Sequence, residues 1–195
     1  MGTKALIAAL LFAVSGGCTG IVGDGTAAGN PSGGGNGDAP NLLVPSGYRN
    51  WPVFMAAVQR ADVGQIRDIY IDRQSAQLVQ KGESFPSGTL MVMDLWSAQK
   101  DSAGNPLKDA NGKLMKGDLA KVYLMGKELG WNVYTKPKPT GDWLYFAYKA
   151  DGVTQITDPT TACVDCHLKL DTTVDWVYDY NEYFAARPSA PTGDL

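Results

Sequence analysis

Apolar and polar positions along this chain repeat mostly with the period of two that marks β-strands, and only locally with a helical period. Ile66 to Ile71 (Ile-Arg-Asp-Ile-Tyr-Ile) is rich in β-branched and aromatic residues and predicts a strand. Leu90 to Trp96 predicts a second, with Met91, Met93 and Leu95 on one face and Leu90, Val92 and Asp94 on the other. Ala120 to Met125 and Trp143 to Lys149 predict two more, the last alternating Trp143, Tyr145 and Ala147 against Leu144, Phe146 and Tyr148. Helical spacing appears at Trp51, Pro52, Phe54, Met55 and Val58, with Asn50 as N-cap and Pro52 in the first turn. Ser75 to Lys81 predicts a short helix ended by Gly82. Turn chemistry at Phe85-Pro86-Ser87-Gly88-Thr89 leads into the Leu90 strand, and Ala103-Gly104-Asn105-Pro106 and Asn111-Gly112 mark turns in the polar stretch after it. Thr173 to Phe184 has room for a short strand or helix. Strands joined by tight turns with few helices predict an α+β domain, predominantly antiparallel β-sheet with a few short helices.

The chain ends follow other patterns. Lys4, the apolar run Ala5 to Val14 and the small residues Ser15-Gly16-Gly17 describe a secretory signal over 1–17. The run is far shorter than the roughly 20 residues of a membrane-spanning helix. Cys18 directly after it resembles the lipidated cysteine of a bacterial lipobox, although Ser15 stands where an aliphatic residue is usual. The alternative is ordinary cleavage that removes Cys18 or leaves it free. Residues 18–40, rich in Gly with Asn, Ser, Asp and Pro, predict a flexible tether. The folded domain is expected over 41–187, followed by a tail at 188–195.

The charge balance narrows the partners. A net charge of -3 argues against nucleic acid, and no polybasic patch offers a membrane surface, so membrane contact would run only through the lipid anchor. The chemistry concentrates in Cys163-Val164-Asp165-Cys166-His167, the C-x-x-C-H pattern of covalent haem attachment. Two thiols at this spacing reach two vinyl groups of one porphyrin, and the following histidine offers its imidazole to the iron. His167 is the single histidine of the chain. A zinc site would want four N or S ligands where this region offers three. A redox C-x-x-C pair would open a helix, whereas Thr157 to Thr161 reads as loop. With one of the three cysteines lipidated and two carrying haem, none is left for a disulfide. Export to a bacterial cell envelope, periplasm or outer membrane, fits haem c, which bacteria attach outside the cytoplasm. Thr19 after the lipid cysteine favours outer-membrane sorting.

Ordinary small cytochromes c are helical, carry this motif early and have a later methionine. Here the motif follows the strands, and the last methionine is Met125. The order Tyr48-Arg49-Asn50-Trp51, Ile66-Arg67-Asp68-Ile69-Tyr70-Ile71, Phe85-Pro86-Ser87-Gly88-Thr89, Gly141-Asp142-Trp143, Cys163-Val164-Asp165-Cys166-His167 and Asp175-Trp176-Val177 resembles the cytochrome P-460 family, over most of the chain after the tether. The resemblance implies a mostly β fold, often a homodimer, with one covalent haem c near the C-terminus. It also implies His167 as proximal ligand and Cys163 and Cys166 as thioether attachments. Relatives characterised as enzymes oxidise hydroxylamine, and the related cytochromes c-prime-beta bind nitric oxide or other small gases.

One departure stands out. Hydroxylamine-oxidising members join a lysine of the strand after the Gly-Thr turn to the porphyrin edge, and Met93 holds that position here. The nearest downstream lysine is Lys100, past the strand. Met91 and Met93 are then apolar packing against the porphyrin, or Met93 is a sixth iron ligand. Trp131, Trp143, Tyr145 and Phe146 are expected mostly in the core, with one or two walling the haem pocket. Asp94, Asp118 and Glu128 are candidate proton-handling groups, with a solvated surface role as the plainer expectation. Two functions follow: a haem iron that binds or oxidises a small nitrogen species such as nitric oxide or hydroxylamine, or a lipid-tethered electron carrier with a six-coordinate haem and a redox partner cytochrome.

Overall fold

The structure is a computed structural model that describes residues 40–156 and 160–187. The signal segment, Cys18, nearly all of the tether and the tail 188–195 lie outside the described residues. Five strands form one antiparallel sheet in chain order: β1 (Val53–Arg60), β2 (Gln65–Ile71), β3 (Leu90–Ala98), β4 (Lys116–Lys127) and β5 (Trp143–Lys149). Among the described residues three α-helices accompany it, α1 (Arg73–Leu78), α2 (Thr160–His167) and α3 (Tyr180–Ala186), with 3-10 turns at Tyr48–Asn50, Trp131–Thr135 and Thr172–Val174. The α+β, mostly antiparallel expectation holds. Among the described residues no helix is long and apolar enough to cross a membrane.

The four sequence-predicted strands all form, and β5 has the expected bounds. The helix expected after Asn50 does not form; the segment is the edge strand β1. The register of β1 on β2 shifts twice, between Val53 and Met55 and again between Met55 and Val58, and Ala57 takes the left-handed φ of 52°. Each bulge adds a residue and breaks the period of two, so the apolar positions imitate helical spacing. The Asp68 carboxylate accepts the Ala57 amide at 3.0 Å and fixes the second irregularity. Asp72 caps α1 by accepting the Ser75 amide at 2.8 Å, and its other oxygen accepts the Leu90 amide at 2.9 Å, tying the helix to the start of β3. Both turn signals of the β3–β4 connection are present, with Gly104 and Gly112 at positive φ.

Both faces of the sheet are covered. On one, Phe54, Ile71, Met91, Trp143 and Tyr145 pack with Ala76 and Val79 around α1 and with Val164, Val177, Tyr180 and Tyr183 from the C-terminal segment. On the other, Val92, Val122, Leu124, Leu144 and Tyr148 pack against Leu42, Tyr48 and Trp131. Tyr148 donates its hydroxyl to the Leu42 carbonyl, which fastens the N-terminal stretch to the second face. The C-terminal segment is fastened to the first. Tyr180 accepts the Gly82 amide at 2.8 Å and donates to the Glu83 carbonyl at 2.7 Å, while Arg187 donates to the Ala76 carbonyl at 2.7 Å.

Candidate functional site

A cavity of about 310 Å³ lies between the first face of the sheet and the C-terminal segment. The sheet wall is built by period-two alternation: Arg67 and Ile69 from β2, Met91, Met93 and Leu95 from β3, and Tyr123 and Met125 from β4. Ile69, Met93 and Tyr123 are register partners across the three strands, so their side chains stand in one row. The opposite wall is α2, which presents Cys163, Cys166 and His167. Positions i, i+3 and i+4 share one helix face, which explains why the C-x-x-C-H spacing delivers all three groups to one surface. The stretch expected as loop before Cys163 is corrected in part: Thr160 and Thr161 open α2, and residues 157–159 lie outside the description.

His167 is held by its surroundings. Its Nδ1 lies 2.6 Å from the Trp176 carbonyl oxygen, which can only accept, so Nδ1 carries the proton and Nε2 keeps its lone pair. Burial holds the imidazole pKa below its ordinary value, with Arg67 adding to that and the Trp176 carbonyl opposing it. Neutral imidazole is the form that ligates a metal. The Tyr145 ring lies 4.6 Å from the imidazole centroid, and Tyr178 meets it edge-on at 5.2 Å.

The Trp176 carbonyl reaches His167 because of an unusual turn. Asp175 and Trp176 both have left-handed φ, 50° and 55°, which non-glycine residues seldom adopt. Asp175 is buried and accepts the Phe85 amide at 2.8 Å, and its carbonyl accepts the Trp143 indole N–H at 3.0 Å. Gly141 gives the Trp176 ring its space: a Cβ there would sit 2.8 Å from Cζ3.

The two cysteines are free thiols, Cys163 half-buried and Cys166 exposed. Burial pushes the Cys163 thiol pKa up. Tyr178 donates to the Cys166 carbonyl at 2.9 Å and its oxygen lies 3.3 Å from the Cys166 sulfur. Burial, aided by the Cys166 contact, pushes the Tyr178 phenol up to about 12.

The cavity therefore brings Met93, Cys163, Cys166 and His167 together; Cys18 lies outside the described residues. Tyr145 and Phe146 also line it, while Trp131 and Trp143 are core. None of the carboxylates Asp94, Asp118 and Glu128 lines it. Asp94 is corrected most sharply: it points to the second face, fully buried, and accepts both Arg49 nitrogens at 2.7 and 2.8 Å and the Tyr48 hydroxyl. Asp118 is exposed and Glu128 binds Ser87.

Two charged groups at the cavity were missed. Arg67 is half-buried with a buried Nε that has no hydrogen-bond partner, and burial lowers its pKa. An unpartnered guanidinium suits an anionic group. Asp179 is the one carboxylate of the described residues in the lining, its pKa raised by burial and by Glu182. The signal for Arg67 was its place: a charge within Ile-Arg-Asp-Ile on the same strand face as Ile69.

These residues fit a haem better than a bare ion. Two thiols and a neutral imidazole border an apolar wall with one unpartnered cation, and no cluster of His, Cys, Asp and Glu among the described residues could hold a metal ion alone. No lysine of the described residues lines the cavity. No curated protein matches the chain. The family model for cytochrome P460 matches residues 45–179, more than two-thirds of the chain, from the turn before β1 through all five strands to the loop that holds His167. The chain thus belongs to the cytochrome P460 family.

Proposed function

We propose that this haem cytochrome carries one covalent haem c, joined through Cys163 and Cys166 with His167 as axial ligand, and that its iron binds or oxidises a small nitrogen species such as nitric oxide or hydroxylamine. The observation that carries the reading is His167: its Nδ1–H is committed to the Trp176 carbonyl, and its Nε2 is free on the helix face that bears both thiols. When bound, the haem would supply a metal site for the ligand and, for an oxidation, a one-electron acceptor that an outside redox partner re-oxidises. The chain supplies the rest. Ile69, Met91, Met93, Leu95 and Met125 exclude water from one side of the cavity, and Arg67 offers hydrogen bonds to a bound anion or to a propionate. Asp179, its pKa raised by burial and by Glu182, holds a proton more readily than an exposed aspartate. Export to the bacterial cell envelope with a lipid anchor at Cys18, and assembly as a homodimer, belong to the same proposal.

Met93 favours a second reading. A thioether in the same cavity as the free imidazole nitrogen is the pair that makes a six-coordinate electron-transfer haem, served by a redox partner cytochrome. One set of measurements separates the readings. Haem that stays on the denatured chain, is held less firmly when Cys163 or Cys166 becomes Ala and is lost when both do, supports covalent attachment; haem stripped from the native chain by denaturation refutes it. A ferrous spectrum that is high-spin and takes up nitric oxide without displacing a ligand supports the first function. A low-spin spectrum whose methionine-to-iron band vanishes in Met93→Ala supports the electron carrier instead.

A further inference from the structure

Among the described residues, five ion pairs form and one has both side chains withdrawn from water: Lys127 with Asp175, at 11% and 3% exposure. Lys127 Nζ lies 2.7 and 2.9 Å from the two carboxylate oxygens. Burying two charges is costly, and such pairs add little net stability against an apolar replacement. Its place in the fold gives it another role. Lys127 ends β4, on the rigid sheet, and Asp175 is the first of the two left-handed residues of the His167 loop.

Left-handed backbone is costly for an L-residue. Two in succession persist only where the surroundings over-determine them. Here the side chain of Asp175 is gripped by Lys127 and by the Phe85 amide, its carbonyl by the Trp143 indole, and the Trp176 amide by the Asp171 carbonyl at 3.1 Å. The outcome of that grip is the 2.6 Å contact from His167 Nδ1 to the Trp176 carbonyl. Neither Lys127 nor Asp175 lines the cavity.

We propose that Lys127 and Asp175 are positioning residues for the axial histidine: the buried pair locks the left-handed turn, the turn fixes the Trp176 carbonyl, and the carbonyl sets how strongly His167 donates to iron. The proposal rests on the reading of His167 as axial ligand. Outer partners of a ligating imidazole fix its orientation and raise its basicity. A stronger donor stabilises ferric over ferrous iron, so loosening the pair raises the reduction potential. The effect is electronic and transmitted through backbone, not by contact with the cofactor.

The test uses the holoprotein and two variants. Lys127→Met removes the cation, and Lys127→Met with Asp175→Asn removes both charges, so that no buried ion is stranded and folding is protected. The readouts are the midpoint potential and the ferrous iron–histidine stretch, recorded after photolysis of the carbon monoxide adduct so that no sixth ligand masks it. We expect the stretch to fall and the ferric-to-ferrous balance to shift roughly tenfold toward ferrous, equal to about 59 mV for one electron. Lys127→Arg, which keeps the charge, should restore both readouts part of the way. Folded variants with unchanged stretch and potential would overturn the proposal. An iron–histidine stretch in the wild-type protein, whose single histidine is His167, is scored first and answers for the axial reading, so the two ideas fail separately.

Discussion

Gly141→Ala measures how tightly the His167 loop is packed. Gly141 has φ of +62°, and an alanine there would place its Cβ 2.8 Å from Cζ3 and 3.0 Å from Cε3 of Trp176. The backbone alone would cost an L-residue about 1–2 kcal/mol. The clash adds about 1–3 kcal/mol, because the atoms met belong to a ring and not to the end of a flexible chain. The total is about 2–5 kcal/mol, a large part of the stability of a domain this size. Gly112→Ala separates the two contributions: its φ is +76°, and nothing lies within 4 Å of the added carbon. That control should lose only the backbone share. Urea unfolding of both holoproteins, followed by tryptophan fluorescence, gives the difference at equal slope. Gly141→Ala should also disturb the haem spectrum, since the ring it displaces belongs to the residue whose carbonyl holds His167. Equal losses in the two variants would show that the ring is not wedged against Gly141.

Asp68 should make the fold acid-sensitive. Burial pushes its pKa up, but Lys116, the Ala57 amide and the Trp96 indole together outweigh burial and hold it below the ordinary carboxylate value. The native state therefore binds fewer protons than the unfolded one, so this stability is complete above about pH 4 and is lost as pH falls through the depressed value. The urea midpoint of wild type should drop over that window and that of Asp68→Asn should be flatter; parallel curves would remove Asp68 as the cause. Arg67→Leu should weaken azide binding to ferric haem roughly 10–100-fold, the worth of a hydrogen bond to a charged group, and change carbon monoxide binding to ferrous haem by less than about threefold. Titration of the holoprotein decides, and equal effects on the charged and neutral ligand would deny Arg67 a charge-specific role.

Strands β3 and β5 were legible because their residues keep a period of two over Leu90 to Leu95 and Trp143 to Lys149. In β3 the alternation Met91, Met93, Leu95 against Leu90, Val92, Asp94 gives the cavity wall and the second face as observed. β1 was not legible, since two irregularities in its register and a left-handed Ala57 convert a strand pattern into helical spacing. Asp94 shows a different limit. Alternation gives its face correctly but says nothing of partners, and its partners Tyr48 and Arg49 are 46 and 45 positions away. The thiols and His167 were legible because the chemistry is local: one helix turn carries all three. The loop that orients His167 was not, because it depends on contacts of Asp175 with Phe85, Lys127 and Trp143, each distant in sequence.

This division between local ligands and distant supports has a consequence for Met93. The cavity walls are each fixed by groups outside the cavity. On the sheet side these are the strand ladder and the second-face core; on the helix side they are the Asp175 contacts and the Tyr180 and Arg187 bonds to the α1 region. Met93 is half-buried, makes its main-chain pairs with Ile69 and Tyr123, and carries no side-chain hydrogen bond that would be stranded by substitution. Changing it should therefore alter the cavity and leave the supports in place. Met93→Lys, which places an amine where the family resemblance puts the cross-linking lysine of hydroxylamine-oxidising members, asks whether the side chain alone separates the two chemistries. The amine lies on an apolar wall where an unpaired charge is costly, so the neutral form is favoured and its lone pair is available. The test is run with haem attached and a two-electron oxidant such as hydrogen peroxide supplied. The oxidant takes up the two electrons and two protons released when a porphyrin C–H and an amine N–H give way to a C–N bond. A covalent link to the porphyrin edge would then appear as a cofactor joined to peptides from both β3 and α2 after digestion. A variant that folds, keeps its haem and shows only α2 peptides would mean that Met93 is not the residue that decides between the chemistries.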